Sequence, residues 1–238
     1  MEQDASQQQA AMAATVVTVF GILLCGVALS GVSNNYLREW FRPFILITGV
    51  LLTGLGVWSL RVAKSATGGK DPLHPMTGML LVPVILAILA RPDPLGSAMV
   101  TSTAVGGGEL KKATNVKPIS RSLLAYKDLS ATTPNDLTVE ELFNRFAYDD
   151  KARIEGKPVR VTGFAVPTGG GWMLSRFKIF CCAADAIAYG VRISGAPNPG
   201  ADSWVTITGT VDTTTDPDLP TIAVSQVEPI PAPEVPYL

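Results

Sequence analysis

Apolar residues are concentrated in the first hundred positions of the chain, in three runs without a charged residue. These runs cover residues 11–32, 43–60 and 76–90. At a rise of about 1.5 Å per residue, the first run spans about 33 Å as a helix, which is enough to cross the hydrocarbon core of a bilayer. Arg42 and Arg61 bracket the second run and Trp58 lies near its end, as is typical of residues at a membrane interface. The pattern predicts membrane-spanning helices over the first two runs.

The third run is shorter, and its membrane topology is open. As a helix it spans about 22 Å, and Pro83 lies in its middle, where a proline kinks a helix. It either crosses the bilayer or re-enters from one side, and we favour crossing. The Lys and Arg residues of the connecting loops favour a cytoplasmic N-terminus, which places the C-terminal part outside the cytoplasm. We expect residues 1–95 to form a bundle of about three transmembrane helices, followed by a linker over residues 96–137.

The pattern changes at residue 138 to that of a folded domain outside the membrane. Thr138 to Glu141 form a capping box, in which the Thr138 hydroxyl accepts from the Glu141 N–H and the glutamate side chain reciprocates. Apolar residues at helical spacing then predict an amphipathic helix over 138–148. Alternation with a period of two predicts five strands, separated by turns rich in glycine and proline: 158–166, 172–180, 188–193, 203–211 and 221–227.

Five short strands within about 70 residues predict a small OB-like β-barrel. Gly163 and Gly209 lie inside two of the strands, where a glycine lets a barrel bend tightly. A β-sandwich would give the same signals, so that alternative stays open. The sequence as a whole predicts an α+β membrane protein, with a β-rich domain and one flanking helix over residues 138–238.

Charge and composition exclude two classes of function. Residues 138–238 carry eight Lys and Arg against twelve Asp and Glu, a net charge of −4. A nucleic-acid-binding protein needs a basic face that displaces counterions from phosphate, so we expect no nucleic-acid partner. His74 is the only histidine, and no catalytic triad or His-based acid–base pair is present in the sequence. We therefore expect no enzyme activity.

The most unusual local sequence is Cys181-Cys182-Ala-Ala-Asp185, where the second predicted strand ends. Thiolates and a carboxylate are ligands for Zn²⁺ and other borderline metals. Adjacent cysteines point to opposite faces of a strand, so both reach one ion only if the backbone turns there. Three interpretations stay open: structural cysteines with Asp185 capping a turn, a metal site, or a reactive thiol. His74 is a further candidate ligand, whose alternative is a solvated loop residue; Cys25, inside the first run, is interpreted as a small buried hydrophobe.

Four segments together resemble the YcgQ family of bacterial membrane proteins. They are LVPVILAILARPDPLGS (81–97), RFKIFCCAADA (176–186), WVTITGT (204–210) and PIPAPEVPYL (229–238). The resemblance implies a multi-pass protein of the bacterial cell membrane, an accessory subunit of a permease that acts with a larger, YcgR-like polytopic subunit. It also implies a link to zinc homeostasis, with Cys181, Cys182 and Asp185 as functional residues. Many relatives carry a histidine-rich loop between the second and third helices, whereas this chain has only His74 there.

The expected function is thus an accessory permease subunit whose soluble domain binds or presents a zinc-like metal ion or a small solute. Two alternatives stay open. One is a membrane-tethered thiol redox protein that uses Cys181 or Cys182. The other is a non-catalytic module that docks onto another protein of the cell envelope.

Overall fold

The computed structural model describes residues 2–66, 94–100, 109–113 and 126–238. The chain divides into two compact units, Met1–Asp93 and Pro94–Leu238. The predicted third helix over 76–90 and the candidate ligand His74 both lie outside the described residues.

The described part of the first unit is a helical hairpin. Helix α1 spans Glu2–Ser30, so it begins before the predicted run 11–32 and ends two residues short of it. Helix α2 spans Arg42–Ala66 and extends beyond the run 43–60 at both ends. Two 3₁₀ turns, Val32–Asn35 and Glu39–Phe41, connect them. Both helices are long and apolar enough to cross a membrane, and their mean hydropathy reaches 2.4 within Ala11–Ser30 and 1.8 within Glu39–Val62.

Small residues let the two helix backbones approach closely. Gly49 of α2 lies against α1 where a Cβ atom would come within 2.7 Å of the Cys25 sulfur, and Gly21 of α1 packs in the same way against Thr53. Small side chains at such positions are typical of helices that pack tightly in a bilayer. The Arg42 Nε donates a hydrogen bond of 2.7 Å to the Ala28 carbonyl, which places a positive charge at the C-terminal end of α1.

The outward faces of the hairpin are apolar and exposed within the first unit. Trp58 is 70% exposed, and further large side chains of both helices share this surface, among them Phe20, Ile22, Leu29, Phe44, Ile47, Val50, Leu51 and Leu55. An apolar surface of this kind is unfavourable in water and favourable in contact with lipid or protein.

The second unit contains two α-helices and seven strands within its described residues. The helices are α3, Ser97–Val100, and α4, Val139–Tyr148. The strands are β1 (Glu109–Leu110), β2 (Asn135–Leu137), β3 (Pro158–Thr168), β4 (Gly171–Lys178), β5 (Ile187–Ser194), β6 (Trp204–Asp212) and β7 (Thr221–Pro229). Each of the five predicted strands is present, and its ends differ from the prediction by at most two residues.

Helix α4 begins as its sequence predicts, with one correction. The Thr138 side chain accepts a hydrogen bond of 3.0 Å from the Glu141 N–H. The Glu141 carboxylate, predicted to reciprocate, instead accepts from the Arg145 guanidinium at 2.9 Å, one helical turn further on. An ion pair at this spacing competes for the carboxylate because residues four apart lie on the same face of a helix. The apolar face of α4 is buried, and Phe143 meets Tyr189 of β5 edge-on at 5.6 Å.

The five long strands form a closed series of pairings. Strand β3 pairs antiparallel with β4 and β6, β4 pairs with β5, and β6 pairs with β7. The parallel pairing of β5 with β7, through Ile193 and Ile222, joins the two ends of the series. Gly163 is required where β3 approaches β4, since a Cβ atom there would come within 2.6 Å of the Ser175 carbonyl oxygen.

The predicted linker contributes to this sheet. Strands β1 and β2 fall within residues 96–137, and they pair in parallel with β5 and β3 respectively. Leu110 and Leu137 pack against the core of the unit. Leu95, the last residue of the predicted membrane region, does so as well. These pieces of the linker therefore belong structurally to the second unit, because their apolar side chains gain burial and their backbones gain partners there.

Candidate functional site

The two adjacent cysteines lie where the chain leaves the sheet. Strand β4 ends at Lys178, and a 3₁₀ turn follows over Ala183–Asp185. Because the backbone turns here, the thiols do not point to opposite faces as they would along a strand. The Cys181 and Cys182 sulfur atoms are 3.5 Å apart. The backbone turn that both thiols need in order to reach one metal ion is therefore present.

The Asp185 carboxylate holds this turn in place. Its Oδ1 accepts from the Phe180 N–H at 2.8 Å, and its Oδ2 accepts from the N–H groups of Cys181 at 2.7 Å and Cys182 at 3.4 Å. Burial tends to raise the pKa of Asp185, but hydrogen bonds from the Cys181 thiol and from these N–H groups outweigh it and lower the pKa. The prediction that Asp185 caps a turn is confirmed.

The same carboxylate keeps the neighbouring thiol protonated. Hydrogen bonds to Asp185 and Cys182, with burial and the negative charge of Asp185, raise the pKa of Cys181 to about 12. A thiol of this kind is a poor nucleophile, because the thiolate is the reactive form. A bound cation would reverse the local electrostatics and favour the thiolate.

Three potential metal ligands converge at the turn. The sulfur atoms of Cys181 and Cys182 and a carboxylate oxygen of Asp185 all lie within 4.8 Å of one another. Among the described residues, no other group of three Cys, His, Asp or Glu side chains comes together in this way. Asp185 Oδ1 accepts one N–H, which leaves it a lone pair for a cation. Cys181 is exposed and the other two residues are half-buried, so the group is open to solvent.

The residues around the turn were not evident as functional candidates from the sequence. Phe180 is 51% exposed, and it is the one large apolar side chain on the surface of the described part of the second unit. The ammonium of Lys178 lies 5.5 Å from the Phe180 ring and pairs with Glu140 of α4 at 2.7 Å. Alternation extended the predicted strand to residue 180, whereas the strand ends at Lys178 and leaves Phe180 at the surface. The sequence signal for the earlier end of this strand is Asp185, which follows the two cysteines at the spacing of a turn.

Comparison with known proteins gives a family match for part of this chain. Neither the curated proteins nor the solved structures yielded a match. A family model matches the second unit from the start of β2 to Leu238. The match includes all five long strands and the turn over residues 179–185 that carries both cysteines, here called the Cys-Cys turn. That model is described as the DUF1980 C-terminal domain, and residues 135–238 are similar to this family.

Proposed function

We propose that the protein is a membrane-anchored accessory subunit of a permease, whose second unit binds a zinc-like metal ion at Cys181, Cys182 and Asp185 and presents it to the permease. The observation that carries the proposal is the convergence of two thiols and a carboxylate within 4.8 Å at an exposed turn. These are ligand types that Zn²⁺ accepts. The permease partner is inferred from the resemblance of the sequence to the YcgQ family.

The helical hairpin supports the membrane anchor. Its two helices have the length and hydropathy of membrane spans, and their outward faces carry large apolar side chains such as Trp58 and Leu55. In this proposal lipid covers those faces, in the bacterial cell membrane. The proposal includes a further crossing by the third apolar run, residues 76–90, which lies outside the described residues, and the loop charges favour a second unit outside the cytoplasm.

The connectivity of the five long strands supports an OB-type barrel as the frame of the site. The first of them, β3, lies between the second and the fourth, and the third, β5, runs parallel to the fifth, β7. A sandwich consists of two separate sheets, whereas here the pairing of β5 with β7 joins the series into a ring. The Cys-Cys turn is then the connection between the second and third strands of the barrel.

The number of ligands favours transient binding over a structural role. Structural zinc sites are closed by four protein ligands, whereas three ligands leave a position for water or for a group of a partner. An exposed site with an open position suits a subunit that takes up an ion and passes it on. The exposed Phe180 ring beside the site offers an apolar contact for the partner.

Zinc titration of the full chain in detergent micelles, without a histidine tag, tests the metal site. We expect one equivalent of Zn²⁺ to bind in competition with a chromophoric chelator. The Cys181→Ser, Cys182→Ser double variant should bind at least tenfold more weakly. Cys25→Ser is the matched control, because it removes the thiol of the helical unit and should bind as the parent does. Equal zinc affinity of the double variant and the parent contradicts the proposal.

The permease association needs a separate experiment. After mild detergent extraction from the source membrane, the chain should co-purify with a polytopic membrane protein. A chain that is recovered alone under conditions that preserve other membrane complexes argues against an accessory subunit.

Thiol redox chemistry is the second candidate, and the 3.5 Å separation of the two sulfur atoms is the observation that favours it. The raised pKa of Cys181 opposes it, because a reactive thiol needs a lowered pKa. Alkylation in intact cells separates the two functions. A metal site predicts thiols that a metal chelator makes reactive, whereas a redox pair predicts thiols that only a reductant makes reactive.

A further inference from the structure

A cleft whose lining does not include the cysteines lies beside strand β3. Its volume is ≈ 290 Å³, at the lower end of the range for small-molecule sites. Strand β2 pairs with β3 as far as Val161, and β4 joins β3 from Phe164 onward. Thr162 lies between these two pairings and lines the cleft, together with Arg160 of β3 and Arg176 of β4.

Arg176 is the unusual residue of this cleft, because its charge has no carboxylate partner among the described residues. Its Nε donates to the Pro236 carbonyl at 3.2 Å, and its Nη2 donates to the carbonyls of Val235 at 3.0 Å and Tyr237 at 3.4 Å. Burial lowers the pKa of Arg176. Four other cationic side chains of the second unit pair with carboxylates at 2.6–2.9 Å: Arg145, Arg153, Lys178 and Arg192.

The acidic side chains that line the cleft leave the charge of Arg176 largely unbalanced. Glu141 is committed to Arg145 at 2.9 Å. Asp136 approaches Arg160 only to 3.9 Å, and its side chain is 80% exposed. The partners of Arg176 are three backbone carbonyls and the Trp204 ring, whose centroid lies 5.6 Å from the guanidinium carbon, and none of them carries a charge. An anion that enters the cleft supplies the missing countercharge. The Nη1 group of Arg176 makes no hydrogen bond within the described part of the chain, so its two N–H donors are available to that anion.

We propose that this cleft binds a small zwitterionic carboxylate of the α-amino acid type, whose carboxylate pairs with Arg176 and Arg160. The Thr162 hydroxyl, which lies 2.9 Å from the Thr206 hydroxyl, supplies a further hydrogen bond. The ammonium of the ligand lies against Asp136. Guanidinium groups suit carboxylates because their N–H donors match the planar oxygens of the anion.

Both cationic and anionic side chains line the cleft, and this combination favours a zwitterion over a simple anion. Inorganic phosphate carries up to two negative charges at neutral pH, and the weakly paired Asp136 carboxylate would repel it. A simple carboxylate such as propionate satisfies Arg176 and Arg160 but leaves Asp136 without a cationic group. The expected order of affinity is therefore L-alanine, then propionate, then phosphate.

Ligand-detected NMR titration of the full chain in micelles tests the proposal, with L-alanine, propionate and phosphate as probes. Arg160→Gln is the principal variant, since this side chain is 54% exposed and its loss leaves the core intact. We expect it to weaken alanine and propionate binding at least threefold, and Arg176→Gln at least tenfold. Lys112→Gln, which removes a cation paired with Asp218 at 3.8 Å, is the charge-matched control and should bind as the parent does.

Asp136→Asn separates the zwitterion from a plain anion. It should weaken L-alanine binding and leave propionate binding equal or tighter. The proposal is overturned if the parent does not bind L-alanine, if phosphate binds more tightly than alanine, or if Arg160→Gln and Asp136→Asn leave the affinity for alanine unchanged. The Cys181→Ser, Cys182→Ser variant should bind alanine normally, so failure of the metal site and failure of this cleft are distinguishable.

Discussion

Substitution of Asp185 by Asn tests whether one carboxylate holds the Cys-Cys turn. The change keeps the shape of the side chain, but it removes the charge and replaces one acceptor oxygen by an NH₂ donor. Asp185 now accepts from Phe180 at 2.8 Å and from Cys181 at 2.7 Å through different oxygens. The amide oxygen of an asparagine can retain one of these bonds, and the NH₂ group would then face a backbone N–H.

The size of the effect follows from the bond that is lost. A hydrogen bond to a charged acceptor contributes about 1.5–3 kcal/mol net. Phe180 and Cys181 are exposed, so water replaces part of the lost interaction and the lower figure applies. A loss of about 1.5 kcal/mol corresponds to a roughly tenfold increase in the population of the open turn.

Hydrogen exchange with mass spectrometry measures this opening locally, which suits a chain of two compact units that has no single free energy of unfolding. Peptides over residues 178–186 of the solubilised chain should exchange roughly tenfold faster in the Asp185→Asn variant. Asp212→Asn is the matched control. Its carboxylate accepts from the N–H groups of Thr214 and Thr215, so only peptides of that loop should change.

The pH dependence of the turn has a defined sign. The pKa of Asp185 is lowered from its usual value of 3.8, so the folded turn favours the ionised carboxylate. Its contribution is therefore fully present above that value and is lost as the pH falls through the lowered pKa. After correction for intrinsic exchange, opening should increase only in acid, and the variant should lack this increase. Equal exchange of the variant and the parent at pH 7 would refute the assignment of Asp185 as the residue that holds the turn.

Two further substitutions test the frame of each unit. Thr138→Ala removes the cap on the Glu141 N–H and should cost about 1 kcal/mol, seen as roughly fivefold faster exchange in the first turn of α4; Thr138→Ser should retain the protection. Gly56→Leu should separate the helices of the hairpin, because a Cβ atom there comes within 2.8 Å of the Thr18 nitrogen. Cys25 should then react faster with a maleimide, measured in the Cys181→Ser, Cys182→Ser background so that Cys25 is the one remaining thiol. Gly54→Leu, at a position with no neighbour within 4 Å, should leave the Cys25 rate unchanged, and equal rates in the two glycine variants would contradict the small-residue interface.

The number of residues over which each pattern of apolar positions repeats explains which parts of the fold were predictable. Helix α4 and the five long strands each repeat their pattern over eight or more residues, and all were predicted. Strands β1 and β2 are two and three residues long, too short for any period to show, and their parallel partners are distant in sequence. The same reason applies to Arg176, whose carbonyl partners lie 59–61 residues further along the chain. The cysteine pair was evident from the sequence, but the approach of both sulfur atoms to the Asp185 carboxylate depends on the turn that Asp185 holds.

The two proposed sites share strand β4, yet their chemistry is independent. Arg176 lies two residues before the end of β4, and the Cys-Cys turn begins after that end. The guanidinium of Arg176 uses Nε and Nη2 for the carbonyls of residues 235–237, which fix the C-terminal segment against β4, as does the bond from the Leu238 N–H to the Phe177 carbonyl. A carboxylate in the cleft engages Nη1, so its binding does not require release of that segment. Ligand binding at the cleft should therefore leave hydrogen exchange of residues 230–238 unchanged. Arg176→Gln removes both the ligand contact and the hydrogen bonds to the C-terminal segment, so it should accelerate exchange there.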